Sequence, residues 1–193
     1  MMQNIMVLPA KQGISMRTKQ LLVALGGAVI SFGVAVLLHF VWDWSGEFLP
    51  VAIFGAVNES VWEHLKIMLW PFLLWSLVIY AVLKTDPKRL LEARMLGALT
   101  VIAVTVSVFY IYSGIIGRSI PAVDIILAFV SLTAGELVSI RAINSPYITG
   151  QYYILAGAAL VLLLVMLLCF TVNAPEIGLF RDPVTGLYGI IKR

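Results

Sequence analysis

The sequence predicts an all-α protein, a polytopic bundle of about five transmembrane helices with an interfacial amphipathic helical segment. Of its 193 residues, 61% are hydrophobic and 12% are charged, whereas soluble domains carry about a quarter charged residues. Apolar stretches near twenty residues, roughly the length that crosses a hydrocarbon core ~30 Å thick, recur along the chain. Packing in water cannot bury so much apolar surface, so the lipid bilayer is the predicted partner.

The charged residues divide between the two ends of these apolar stretches. Most acidic residues fall at or beyond one end, and most basic residues fall at the other. The positive-inside rule assigns the basic end to the cytoplasm. The predicted inner side holds Lys11, Arg17, Lys19, Lys84, Lys88, Arg89, Arg94 and Arg141. This distribution accounts for the net charge of +3 without nucleic-acid binding. The lone cysteine, Cys169, excludes a disulfide framework and a thiolate metal cluster.

The first predicted span runs from Leu21 to about Val41, after a polar, basic, cytoplasmic tail over residues 1–20. The apolar stretch is too long for the core of a signal peptide and no small-residue cleavage site closes it, so we expect an uncleaved helix. Gly27, Ser31 and Ala35 repeat every four residues within it, which favours a close contact with another helix.

The second helix is predicted from Asn58 to about Leu83. Asn58 is its expected N-cap, which places Glu59 at the positive end of the helix dipole. The first turns are too polar for lipid, and the apolar part from Ile67 contains Pro71, which predicts a kink. The following segment, Lys84–Arg94, is predicted to be a cytoplasmic loop because it is rich in basic residues.

Three further spans complete a bundle predicted over residues 21–172. They run from about Met95 to Tyr112, from Pro121, a typical first-turn residue, to Ile140, and from Tyr152 to Thr171. An odd number of spans with the N-terminus inside places the extracytoplasmic C-terminal tail, residues 173–193, outside the cell membrane. Apolar residues among its turns predict that the tail folds back over the outer face, the alternative being a frayed terminus.

Polar side chains that bind ligands or metal ions gather on the predicted outer side. His39 and Asp43 are four residues apart and share one helix face, and Glu59 and Glu63 repeat that spacing with His64 beside them. Two histidines with carboxylates are the ligand types of zinc, iron and manganese, although no His-Glu-x-x-His motif is present. The predicted pocket comprises His39, Asp43, Asn58, Glu59, Glu63, His64 and Asp124.

A structural interpretation of the same residues stays open. His39 and Asp43 then form a hydrogen-bonded pair at a helix end, Glu63 pairs with Lys66 in solvent, and Arg118 neutralises Asp124.

Glu136 is a separate candidate because it lies deep in the fourth span. It falls about 22 Å along the helix from Pro121, at ~1.5 Å per residue. A carboxylate at that depth is costly and by default functional. It acts either as a protonatable relay site or as a neutral acid bonded to Ser or Thr, with Thr133 on the same face.

Three stretches of sequence carry a family resemblance. Residues 58–66 read Asn-Glu-Ser-Val-Trp-Glu-His-Leu-Lys, residues 112–117 read Tyr-Ser-Gly-Ile-Ile-Gly, and residues 179–189 contain Leu-Phe-Arg-Asp-Pro and Thr-Gly-Leu-Tyr-Gly. Together they resemble the signature of an uncharacterised family of small bacterial multi-pass membrane proteins, over most of the chain after residue 20. The resemblance implies no assigned activity, cofactor or catalytic residue.

Three functional hypotheses follow from these residues. The first is a non-enzymatic membrane protein whose outward-facing pocket binds or passes a small cationic solute or ion. The second is a metal-dependent membrane hydrolase acting on lipid or peptide, with His39, His64 and one carboxylate as ligands and Glu59 or Glu63 as general base. The third is a helical partner subunit of a membrane complex. The sequence names no substrate or cofactor.

Overall fold

The computed structural model describes residues 14–191. Its helices are α1 Met16–Trp44, α2 Val61–Leu74, α3 Ser76–Leu83, α4 Pro87–Ile116, α5 Pro121–Ile143 and α6 Tyr153–Val172, with 3-10 helices at Leu49–Ile53 and Gly178–Phe180. Because α2 and α3 form one apolar run, the described residues contain five helical segments long and apolar enough to cross a membrane. The all-α architecture and the number of spans are confirmed.

Two helices begin earlier than hydropathy predicts because polar caps start them in the flanking segments. Ser15 caps α1 by accepting a hydrogen bond from the Thr18 amide at 3.2 Å. Asp86 caps α4 by accepting from the amides of Lys88 and Arg89, and proline occupies the first turn. The predicted loop Lys84–Arg94 is therefore wrong, since most of it is helix. Residues 1–13 of the predicted N-terminal tail lie outside the described residues.

The second span begins later than predicted. Ser60 is the N-cap of α2 and accepts from the Glu63 amide at 3.3 Å, while Asn58 accepts from the Ser60 amide at 2.8 Å. Asn58 as N-cap is therefore wrong, and Glu59 precedes the helix instead of sharing a helix face with Glu63. The 3-10 helix Leu49–Ile53 leads toward this span with its apolar side chains partly exposed.

The second span is interrupted at Trp75, four residues after Pro71. Pro71 has no backbone N–H, so the ladder is already one hydrogen bond short in this turn. The interruption leaves the carbonyl of Phe72 as an acceptor, and the guanidinium of Arg94 donates to it. The break at Trp75 thus opens a backbone acceptor inside the bundle.

Small residues allow three helices to pack closely around this point. A Cβ on Gly97 of α4 would lie 2.7 Å from the carbonyl oxygen of Gly135 on α5, so only glycine fits where these helices cross. On α1, Gly27, Ser31 and Ala35 are all buried, as their four-residue spacing indicates. Helices α1, α4 and α5 therefore pack closely through these small residues.

The C-terminal tail packs against the bundle. Phe180 is buried, with its ring 4.8 Å from that of Trp62 and 5.3 Å from that of Phe170. The Asn58 side-chain amide donates to the carbonyl of Gly189 at 2.7 Å. Over the residues that the structure describes, the frayed-terminus alternative is wrong.

Candidate functional site

Three side chains from separate parts of the chain converge at one end of the bundle. His39 lies near the end of α1, His64 in the first turns of α2, and Glu59 in the turn just before α2. Glu59 Oε2 lies 3.3 Å from His39 Nε2 and 3.7 Å from His64 Nε2. All three residues are partly exposed. We call His39, Glu59 and His64 the His–Glu cluster.

The backbone of α2 fixes the tautomer of His64. Its Nδ1 lies 2.9 Å from the carbonyl oxygen of Ser60. A carbonyl only accepts hydrogen bonds, so Nδ1 carries the proton and, in the neutral ring, Nε2 presents its lone pair. Metal-binding histidines are oriented in this way, with the second ring nitrogen donating to a carbonyl or carboxylate. Because Nε2 is the nitrogen facing Glu59, His64 is oriented as a metal ligand.

The spacing of the cluster fits a small tetrahedral metal ion. With Zn–N bonds of ~2.0–2.1 Å, two ligands of a tetrahedral zinc lie about 3.3–3.4 Å apart. The potential ligand atoms of His39, Glu59 and His64 all lie within 4.8 Å of one another. Shifts of about an ångström would therefore bring all three onto one ion. Two imidazoles and one carboxylate leave the fourth position open.

The His–Glu cluster borders a cavity of about 770 Å³ between α1, α2, α4 and α5. The cavity walls are mainly apolar, and its polar groups include the cluster and Asp124. Its apolar lining includes Phe32, Val36, Phe40, Ile67, Met68, Phe109, Ile125 and Leu127. Pro183 and Val184 of the tail complete the lining. The site is thus a small polar centre at the edge of an apolar chamber.

Asp124 and Asp43 lie around the cluster without belonging to it. Asp124 accepts a hydrogen bond from the phenol of Tyr112, whose oxygen accepts from the Ile120 amide at 3.2 Å. A tyrosine therefore holds the carboxylate for which Arg118 was the expected partner. Asp43 acts electrostatically on His39 from one turn further along α1. Asp43 therefore adds negative potential at the cluster, where a cation would sit.

Glu63 does not face the cavity, contrary to both sequence interpretations. It is buried and lies 2.6 Å from Lys66 Nζ, which also donates to Thr171 at 2.9 Å and to the Ala52 carbonyl at 2.7 Å. The pair is internal rather than solvated. Glu63 and His64 are consecutive residues of α2, and consecutive side chains of a helix point about 100° apart. Glu63 therefore faces the interior while His64 faces the cavity. Sequence reasoning missed Thr171, which lies on the last span.

Glu136 is paired with an arginine instead of acting alone. Its two carboxylate oxygens accept from Arg94 at 2.8 and 3.1 Å, and neither residue is more than 1% exposed. Thr133 bonds the Phe129 carbonyl, so its predicted role is wrong. The expected partners, Ser or Thr, are wrong, because the partner is the cation Arg94, which was predicted to lie in a loop. The role of Glu136 as a protonatable relay site stays a prediction.

Asn58 does not line the cavity but holds the turn that carries Glu59 in place through buried hydrogen bonds. It is buried, and it joins the turn that carries Glu59 both to the cap of α2 and to the tail. Of the eight predicted site residues, His39, Glu59, His64 and Asp124 line one cavity. The remaining four, Asp43, Asn58, Glu63 and Glu136, serve the surroundings or the interior of the bundle.

Comparison with known proteins places the chain in a family without an assigned activity. Residues 11–190 match the model of a family described as Family of unknown function (DUF6512). The match covers nearly the whole sequence, so the chain belongs to this family. No curated protein and no solved structure matches the chain. The resemblance to an uncharacterised family is confirmed, and any activity has to be argued from the site itself.

Proposed function

We propose that this member of the DUF6512 family binds one divalent transition-metal ion, of the zinc class, through His39, Glu59 and His64. The observation that carries the proposal is the convergence of the three ligand atoms within 4.8 Å of one another, from three segments of the chain. The Ser60 carbonyl supports it further by orienting His64. Because two of the three proposed ligands are imidazole nitrogens, we expect a cation that prefers nitrogen ligands.

The donor set distinguishes the proposed ion from the common alkaline-earth cations. Imidazole nitrogen suits zinc, copper, iron and nickel, whereas calcium and magnesium prefer oxygen ligands. The cluster supplies two nitrogens and one carboxylate, a set found in three-ligand zinc sites. Asp43 acts electrostatically on His39 and adds negative potential that favours a divalent ion.

A metal-dependent hydrolase is the second candidate, and one observation favours it. Catalytic zinc sites keep three protein ligands and one open position for water or substrate, and this cluster borders a chamber large enough for a ligand. Glu63 is unsuitable as the general base because it is buried beside Lys66. Asp124, which lines the same cavity, replaces it as the candidate carboxylate.

We further propose that the metal site lies on the extracytoplasmic side of the cell membrane. The start of α1, the end of α3, the start of α4 and the end of α5 lie at the opposite end of the bundle from the cluster. These ends carry Arg17, Lys19, Lys84, Lys88, Arg89 and Arg141. By the positive-inside rule that end is cytoplasmic. The N-terminus is then inside and the C-terminus outside.

Metal analysis of the purified full-length protein tests the main proposal. We expect one equivalent of zinc in the wild type after dialysis against trace zinc, and loss of that zinc in His39→Ala, His64→Ala and Glu59→Gln. Glu176→Gln, the same change at an exposed tail residue, is the matched control and should retain the metal. Wild-type protein that holds no more zinc than Glu59→Gln would refute the proposal.

A further inference from the structure

The cavity beside the His–Glu cluster is bounded in part by α1 and α5. Phe32 of α1 and Phe129 of α5 pack edge to face with ring centroids 5.5 Å apart. Nearer the cluster, residues on both helices line the cavity, among them His39 on α1 and Asp124 on α5. On one side the chamber is thus bounded by α1 and α5, and Phe32 of the aromatic pair forms part of its wall.

This side of the chamber is edged by side chains that also face outward from the bundle. Val36, Phe40 and Ile125 line the cavity, yet they are 42%, 45% and 58% exposed. Apolar side chains on the outer surface of a membrane-spanning helix meet hydrocarbon. The edge of the chamber formed by α1 and α5 is thus open to the lipid phase, which supplies apolar molecules by lateral diffusion.

The chamber combines an apolar body with one polar end. Ile67, Met68 and Leu127 form inner walls, whereas the His–Glu cluster and Asp124 provide the polar groups. A volume of about 770 Å³ falls within the range of ~300–1,000 Å³ typical of sites for one small-molecule ligand. One acyl chain with a compact head group fits that description, whereas a two-chain phospholipid is larger.

We infer that the cavity binds a single-chain amphiphile, whose chain enters from the lipid between α1 and α5 and whose oxygen-donor head group coordinates the metal held by His39, Glu59 and His64. The inference about the head group rests on the proposed metal site. Lipid tails are about as apolar as leucine side chains, so moving the chain from bilayer to cavity changes the free energy little. Metal coordination therefore supplies the affinity, and the cavity selects the chain by its shape.

Two hydroxamic acids separate these contributions. Lauroyl hydroxamic acid carries the chain and a metal-coordinating head, whereas acetohydroxamic acid carries the head alone. With zinc-loaded protein in detergent micelles, we expect titration calorimetry to show binding of both probes, and at least tenfold weaker binding after zinc removal. Ala128→Phe, which fills the chamber from α5, should abolish binding of the long probe and preserve binding of the short one. Val161→Phe, on an exposed face of α6, is the matched control and should bind both.

Zinc content of each variant keeps the two proposals separable and shows that the variant is folded. Wild-type protein without zinc would defeat the metal site. Zinc-loaded Ala128→Phe that binds the lauroyl probe as tightly as wild type would overturn the amphiphile inference while the metal site stands. Should native mass spectrometry find a two-chain phospholipid that is retained by wild type and lost in Ala128→Phe, the single-chain occupant would be wrong.

Discussion

The buried ion pair between Arg94 and Glu136 provides a quantitative test of how this bundle is stabilised. Glu136→Gln keeps the shape of the side chain and removes its charge, so the guanidinium of Arg94 stays buried beside the Phe72 carbonyl and ring, the Ser139 hydroxyl and a neutral amide, with no counter-charge among these groups. Breaking a buried pair from one side costs about 3–5 kcal/mol. The double variant Arg94→Met, Glu136→Leu buries no charge and leaves mainly the Phe72 carbonyl unpaired, which costs about 1–3 kcal/mol.

The assay is the free energy of unfolding in mixed micelles with increasing sodium dodecyl sulfate, followed by tryptophan fluorescence. We expect Glu136→Gln to be less stable than the double variant, although the double variant carries more changes. Glu176→Gln, at an exposed tail position, should match wild type. If Glu136→Gln also matched wild type, or if the double variant were the less stable of the two, the reasoning from a desolvated ion pair would be refuted.

The remaining predictions concern packing, the support of the cluster and orientation. Gly97→Ala should destabilise the bundle by about 1–3 kcal/mol, because its Cβ would overlap Ser139 Oγ and lie 2.7 Å from the Gly135 carbonyl oxygen. Gly114→Ala, in open space on the same helix, should be neutral or slightly stabilising in the same unfolding assay. Asn58→Ala should speed proteolysis of the tail and weaken zinc binding on the order of tenfold, as loss of an outer-shell support does; unchanged affinity would remove Asn58 from the site. With the native cysteine replaced by alanine, an impermeant maleimide added to intact cells should label Glu176→Cys and leave Lys88→Cys unlabelled, and the reverse pattern would invert the topology.

The spans were predictable from sequence because hydropathy alone determines which segments the bilayer accepts. The apolar run after Tyr152 contains no charge, and its predicted limits differ from those of α6 by one residue at each end. Errors arose where a charge enters the interior. Arg94 was assigned to a loop because basic residues usually flank spans. In the structure, the carboxylate of Glu136 on another helix compensates for the burial of the Arg94 charge. Arg94 and Glu136 are 42 positions apart, so no short stretch of sequence indicates that they form a pair.

The candidate site was predictable only in part, for a similar reason. Both histidines and Glu59 are conspicuous among apolar residues, and the resulting expectation of a shared pocket agrees with their distances. Their meeting depends on the turn before α2, which the sequence interpretation treated as helix. Glu63 was grouped with them by its helical spacing from Glu59, and that grouping failed because Ser60 starts the helix one residue after Glu59.

Anomalous diffraction at the zinc absorption edge, from crystals of the full-length protein grown with trace zinc, tests the central claim most directly. We predict one strong peak within bonding distance, ~2.0–2.2 Å, of His39 Nε2, His64 Nε2 and a Glu59 carboxylate oxygen. Crystals that preserve the three side chains in this arrangement and show no peak between them would contradict the account.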